Sequence, residues 1–364
     1  YTDSPKFKEE TKGFTLGGPI LKDKLFFYVG YEELTSTRNA PDFGPIGSNA
    51  SSVIGITPSA IAGVTALAQS QYKINLGDLN VSAGTELKVK DTLAKVDWNI
   101  NNNHRASVRY TKTDQVEPIY PNFFNTPSTA LSLSSDWYDQ VKTIETTVGQ
   151  WFADWTPTLS TEVKVSSRDY HSEPLNKSSL PLMQFSYTGA LPTGLPSSVL
   201  GGTRNLNAGT ERSRHTNVLD TQTKDLYVGA NWTLGEHEIK FAGDFSDNKI
   251  YNAFLQDTKG NYTFSCQNSS ATYTYTFGTI SCGSATAAQI EAAVLENYAK
   301  GRPSSYLVQV PVNAGGSLAD GIAQFHLKNQ GLAAQDTWSV NQNLTLQYGF
   351  RIDTPRMPQK PLAN

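Results

Sequence analysis

The sequence predicts an all-β protein, a transmembrane antiparallel β-barrel with short turns on one side and long loops on the other. Two features carry this. First, strand-like segments alternate strictly between apolar and polar residues: Ala94-Val96-Trp98-Ile100 interleaves with Lys95, Asp97 and Asn99, and Ala106-Val108-Tyr110 with Arg105, Ser107 and Arg109. Alternation gives each strand one apolar and one charged face. In a large membrane barrel the apolar face meets lipid and the charged face lines the lumen. Second, the segments come as five pairs, with very short polar turns within each pair and very long stretches between pairs.

The pairs run in order as Thr11 to Leu16 with Lys24 to Glu33, and Lys90 to Ile100 with His104 to Thr113. Asp139 to Trp155 then pairs with Thr161 to Tyr170, and Lys224 to Thr233 with Glu238 to Asn248. Gly331 to Ser339 with Leu344 to Asp353 completes the set. Gly, Asn, Asp and Pro in the turns supply the backbone angles that tight reversals need. Parity assigns Val96, Trp98, Val108 and Tyr110 to lipid, with Leu226, Val228 and Trp232, then Leu346, Tyr348 and Phe350. The opposite parity puts Lys95, Asp97, Arg105, Arg109, Lys164, Arg168, Lys240, Asp244, Arg351 and Asp353 on the lumen wall. Aromatic residues near strand ends, among them Trp98, Tyr110, Trp155, Trp232, Trp338 and Tyr348, suit interfacial girdles. The strand around Ile144 to Phe152 has mixed parity, which leaves its orientation open.

Composition agrees. Only 38% of residues are hydrophobic while 11% are aromatic, and no apolar run approaches the roughly 18 residues of a spanning helix. A barrel strand needs only about 9–11 alternating residues, so such a protein reads as hydrophilic on average. A net charge of −3 with no basic stripe argues against a nucleic-acid partner.

The stretches 34–89, 114–138, 171–223, 249–330 and from 354 onward are expected as surface loops, a length usually reserved for function. Thr57-Pro58 marks a helix start before Ile61, Val64 and Leu67, and Ala285 to Ala299 has helical spacing. Cys266 and Cys282, the only cysteines, share one loop, and a local disulfide is the plain expectation in an oxidising compartment. The five histidines are scattered without metal-ligand spacing, so neither a metal nor a cofactor is expected. No nucleophile–base pair stands out, and no enzyme is expected. The end, Lys360-Pro361-Leu362-Ala363-Asn364, reads as a loop, and with Tyr1 as first residue the chain reads as a fragment.

Four blocks resemble TonB-dependent outer-membrane receptors of the Oar-like branch. They are Gly13-Phe14-Thr15-Leu16-Gly17-Gly18-Pro19-Ile20-Leu21-Lys22-Asp23-Lys24-Leu25-Phe26-Phe27-Tyr28; Asp97-Trp98-Asn99-Ile100 with Asn103-His104-Arg105; Leu234-Gly235-Glu236-His237-Glu238-Ile239-Lys240-Phe241; and Gln335-Asp336-Thr337-Trp338 with Asn343 to Asp353. The resemblance implies a 22-stranded barrel of which residues 1–364 hold about ten strands. On that template the signal peptide, the plug with its TonB box, and the second barrel half lie outside the sequence. It further implies uptake of a scarce nutrient, powered by a TonB-type energy-coupling protein acting through the plug, in an outer membrane whose lipid surrounds the wall. A passive pore or surface adhesin shares the same features, and a soluble β-sandwich binding module is the third alternative.

Overall fold

The computed structural model describes residues 8–38, 42–80, 85–121, 123–125, 128–268, 270–312 and 314–360. The reading of 361–364 as a loop lies outside them. Ten long strands form one antiparallel sheet, the wall, in sequence order. They are Lys8–Leu21, Leu25–Arg38, Thr85–Asn99, His104–Ile119, Tyr138–Thr156, Leu159–Asn176, Thr216–Leu234, His237–Leu255, Ala323–Asn341 and Leu344–Arg356. Among the described residues the first and tenth strands pair on one side only, so the sheet has two open edges.

The turns fall where polar residues allow them. Asp23 (φ 63°) and Gly235 (φ 59°) take the left-handed conformation of the first and fourth turns. The Asn101 side chain accepts from the amides of Asn103 and His104, both at 2.9 Å, and closes the second. The strands are longer than alternation alone predicts. The strand expected over Lys224 to Thr233 spans Thr216–Leu234, and that expected over Gly331 to Ser339 spans Ala323–Asn341. Beyond the apolar band both faces become polar and the pattern fades, but the ladder continues on cross-strand pairs such as Lys112–Glu145 (3.1 Å) and His171–Asp220 (2.5 Å). Wall strands of 19 residues far exceed the roughly 9–11 that cross a bilayer. If such a wall spans a bilayer, strands of this length extend beyond it.

The long loops are not structureless. They assemble into a cap with a six-stranded mixed sheet in the order Ser305–Leu307, Asn261–Ser265, Leu182–Thr188, Thr203–Ala208, Ser128–Ser132, Phe123–Asn125. Two helices, α1 (Pro58–Leu67) and α2 (Ala287–Ala299), join it at the positions the sequence signals. Thr57 caps α1 through the amide of Ala60, and Thr286 with Gln289 forms a capping box on α2. The core lies in this cap: Phe185, Leu206, Leu131, Ile54, Val64, Ile290 and Val294 are almost fully buried. It is built from four different loops, and that assembly is what local sequence does not announce.

Candidate functional site

Strand register decides which side chains share a face. Val96 lies opposite Val108, Val108 opposite Gly149, Gly149 opposite Val165, and Val165 opposite Leu226. Leu226 then faces Phe245, and further rows run on to Leu332 and Ile352. Hence Val96, Trp98, Val108, Tyr110, Leu226, Val228, Trp232, Leu346, Tyr348 and Phe350 all project from one face. Most are well exposed there, Phe350 at 65% and Val108 at 56%. A continuous exposed apolar band is costly in water and favourable against lipid.

The same ladder collects Lys95, Asp97, Arg105, Arg109, Lys240, Asp244, Arg351 and Asp353 on the other face. It does not unite them into one cluster. Lys95 and Asp97 pair at 2.8 Å, with Arg109 opposite Lys95 and Arg105 lying over the Phe152 ring at 5.2 Å. Far along the wall, Arg351 bridges Asp244 (2.7 Å) and Asp353 (2.6 Å). The charged face thus carries two of these groups far apart, with Lys240 outside both, opposite Asn231.

The strand of mixed parity is oriented by its neighbours. Trp151 faces outward with His104 and Trp155, at centroid distances of 5.8 Å each, while Val148 and Phe152 face inward. Trp98, Trp151, Trp155, Trp232 and Trp338 all sit close to the short turns and form a girdle at that border. Tyr110 lies on the same face farther from the short turn, opposite Ala94 and Thr147. Parity also puts a carboxylate, Asp336, on the apolar face inside the girdle. His237 Nδ1 donates to it at 2.8 Å and the Tyr348 hydroxyl at 2.6 Å. Its spacing from Trp338 and Ala334 carries that signal, but its partners emerge only from the register.

In the cap, Cys266 and Cys282 are joined, with Cα atoms 5.8 Å apart, and both are buried beside Tyr275 and α2. Thr57 of α1 donates to Glu291 of α2 at 2.7 Å, and the Tyr72 hydroxyl donates to the Tyr298 carbonyl at 2.6 Å. At the base of the cap, Arg212 grips Asp257 through Nε (3.2 Å) and Nη2 (2.6 Å). His215 nearby in sequence is neutral: the Lys259 amide donates to its Nδ1 and its Nε2–H donates to the Thr210 carbonyl, both at 3.0 Å. Burial, the larger influence, lowers its pKa and favours that form. Burial likewise pushes the Asp136 carboxyl well above the ordinary range, with Glu211 adding to it.

Glu296 on α2 behaves in the opposite sense. Burial opposes its ionisation, but hydrogen bonds from Lys300 (2.6 Å) and from the Thr276 hydroxyl (2.7 Å) and amide (2.9 Å) outweigh that. They hold its pKa at about 2, against an ordinary 4.5. A depressed carboxylate stabilises the fold fully above its unfolded pKa, and the contribution fades as pH falls toward the folded value. Acidification from pH 4.5 to about 2 is therefore expected to loosen α2 against the Thr276 turn. Amide exchange across 287–299 should rise over that interval in the native protein and show a flatter response in Glu296→Gln.

An amphipathic antiparallel wall, short turns beside an aromatic girdle, and a folded cap on the long-loop side define an outer-membrane β-barrel protein. The model of the outer membrane beta barrel domain matches residues 1–44 and 44–362, and the chain belongs to that family. Its place is the outer membrane. No curated protein matches the sequence. Among solved structures, the outer membrane transporter YddB from Escherichia coli aligns with a TM-score of 0.52 at 10% identity, over 96% of this chain and 34% of that one. The siderophore receptor PirA from Acinetobacter baumannii gives 0.49 at 11%, over 98% and 38%. The ferripyoverdine receptor of Pseudomonas aeruginosa gives 0.48 at 10%, over 97% and 36%. The chain spans little more than a third of the length of these proteins. The likeness to YddB is one of fold: the wall has the architecture of part of that outer-membrane transporter.

Proposed function

We propose that residues 1–364 are one part of the barrel of a TonB-dependent receptor that imports a scarce nutrient across the outer membrane. The observation that carries this is that both wall edges, Lys8–Leu21 and Leu344–Arg356, are unpaired among the described residues. An open edge in hydrocarbon leaves backbone groups unsatisfied at several kcal/mol each, so a spanning sheet must be closed by further strands. A barrel of 22 strands with a plug inside supplies them. The charged inner face then meets the plug, and a TonB-type energy-coupling protein acts on the plug from the periplasm. YddB is described as an outer membrane transporter, which supports import over adhesion. The cap would present the solute-contacting surface, because functional residues concentrate on loops held by a rigid scaffold. The family is a barrel domain rather than an enzyme family.

Uptake assays separate this reading from a passive pore. Cells with and without the gene are given an iron–siderophore panel, a peptide digest and a glycan digest. Uptake of one class that needs the gene and stops with a protonophore is the expected result. Gene-dependent uptake indifferent to the protonophore would identify a passive pore instead.

A further inference from the structure

The cap sheet is ordered as the wall is. Phe123–Asn125 and Ser128–Ser132 come from the loop between the fourth and fifth wall strands. Leu182–Thr188 and Thr203–Ala208 come from the loop between the sixth and seventh, and Asn261–Ser265 and Ser305–Leu307 from that between the eighth and ninth. Crossing the cap from Phe123–Asn125 to Ser305–Leu307 therefore follows the wall toward its tenth strand. Both sheets end unpaired in the same direction. Ser305–Leu307 has no partner beyond Asn261–Thr263, and Leu344–Arg356 has none beyond the ninth strand, among the described residues.

The free cap edge is apolar and held extended. Tyr306, Leu307 and Val308 are 49%, 49% and 41% exposed, and Val310 is 63% exposed. The Ser304 amide donates to the Thr263 carbonyl at 2.8 Å, and the Gln309 amide to the Asp257 carbonyl at 3.3 Å, so the segment lies along the cap. An aromatic row runs from Phe185 to Phe264, Tyr262 and Tyr306, with the last two rings 4.6 Å apart, and stops at that exposed tyrosine. Exposed edges are usually blunted by charge, proline or a bulge. Residues 305–310 carry no charge and no proline; Pro303 and Pro311 lie outside them.

We propose that Ser305 to Val310 is a docking strand for the protein's own next outer loop, the one following the tenth wall strand, which adds a seventh strand to the cap sheet. The inference rests on the wall being part of a larger barrel. The order of the cap strands selects this occupant: each step across the cap so far is taken by the next outer loop, and the next step belongs to the next loop. Main-chain hydrogen bonds would supply the pairing, and Tyr306, Val308 and Val310 would extend the apolar layer onto the incoming strand.

The test uses the full-length protein in outer-membrane vesicles, with hydrogen exchange read by mass spectrometry and a photo-cross-linking benzoylphenylalanine at Val310. Amides of 305–310 are expected to exchange as slowly as those of Asn261–Ser265, and the cross-link is expected within the same chain beyond Arg356. Val308→Lys should abolish the cross-link without changing exchange at Asn261–Ser265. Fast exchange at 305–310 with slow exchange at Leu344–Arg356 would overturn the docking and leave the larger barrel standing. Fast exchange at Leu344–Arg356 would remove the larger barrel and the docking with it. A cross-link to a second copy or to a separate peptide would overturn the assignment to the protein's own loop.

Discussion

Val228→Arg is expected to destabilise the wall by about 2–4 kcal/mol, the range for a cationic side chain at the bilayer midplane of a barrel. Val228 is the middle of an outward row with Val163 on one side and Gly243 on the other, and it is exposed on the apolar face. The arginine cannot reach the girdle without displacing Trp232, which lies on the same face nearer the turn. Inward positions have no such penalty. Thr345→Arg and Asn99→Arg place the same charge on the face that already carries Lys95, Arg105 and Arg351, and near-native stability is expected for both. Urea unfolding of the full protein from phospholipid vesicles reads the difference. Equal damage at both parities would contradict the assignment of faces.

Removing the disulfide is expected to cost about 3 kcal/mol in the chain-entropy account of a loop this long, and the loss should stay in the cap. The bond spans 16 residues that include the hairpin Thr272–Tyr275 with Gly278–Ser281. Both sulfur atoms sit in the apolar core against Tyr275 and α2. Cys266→Ala with Cys282→Ala therefore loosens the hairpin and, through Thr276 and Glu296, the end of α2. Among the described residues, no wall-strand residue belongs to that core, and the wall strands form their own ladders, so they should open separately. Limited proteolysis should cut within 267–281 in the double variant and spare it in the native protein, with exchange in Thr216–Leu234 unchanged. Loss of protection in the wall would show that the two parts fold as one unit.

The faces of the wall were legible because alternation is a local property. Val96 with Val108, and Lys95 with Arg109, needed only parity and a short turn to be placed. The strand Tyr138–Thr156 was not legible, since Val148 and Phe152 face inward. Arg105 shields Phe152 with its guanidinium, and long charged side chains can cover apolar surface in this way. The long-loop halves of the strands were hidden because polar residues occupy both faces there, as at Lys112–Glu145 and His171–Asp220, and the alternation fades. The cap was hidden for another reason. Leu182–Thr188 pairs with Asn261–Ser265 from a different loop, and short segments paired over such separations leave no periodic signal. The helices were legible, because the Thr57-Pro58 start and the helical spacing within Ala285 to Ala299 are local signals. Gly209 shows what only three dimensions reveal: at φ 92° a Cβ there would lie 1.9 Å from the Pro181 carbonyl oxygen, so that position can bear no side chain.

Whole-cell labelling tests the central claim most directly, that a wall crosses the outer membrane with its short turns inside and its folded cap outside. Ser197 is exposed on the cap and Asn102 is exposed in a short turn. Cys266 and Cys282 are paired with each other, so within residues 1–364 the introduced thiol is the reactive one. With a membrane-impermeant maleimide on intact cells, Ser197→Cys is expected to label fully and Asn102→Cys only after the outer membrane is opened. Labelling of Asn102→Cys but not Ser197→Cys on intact cells would contradict the topology and with it the reading of the cap as the outward-facing surface.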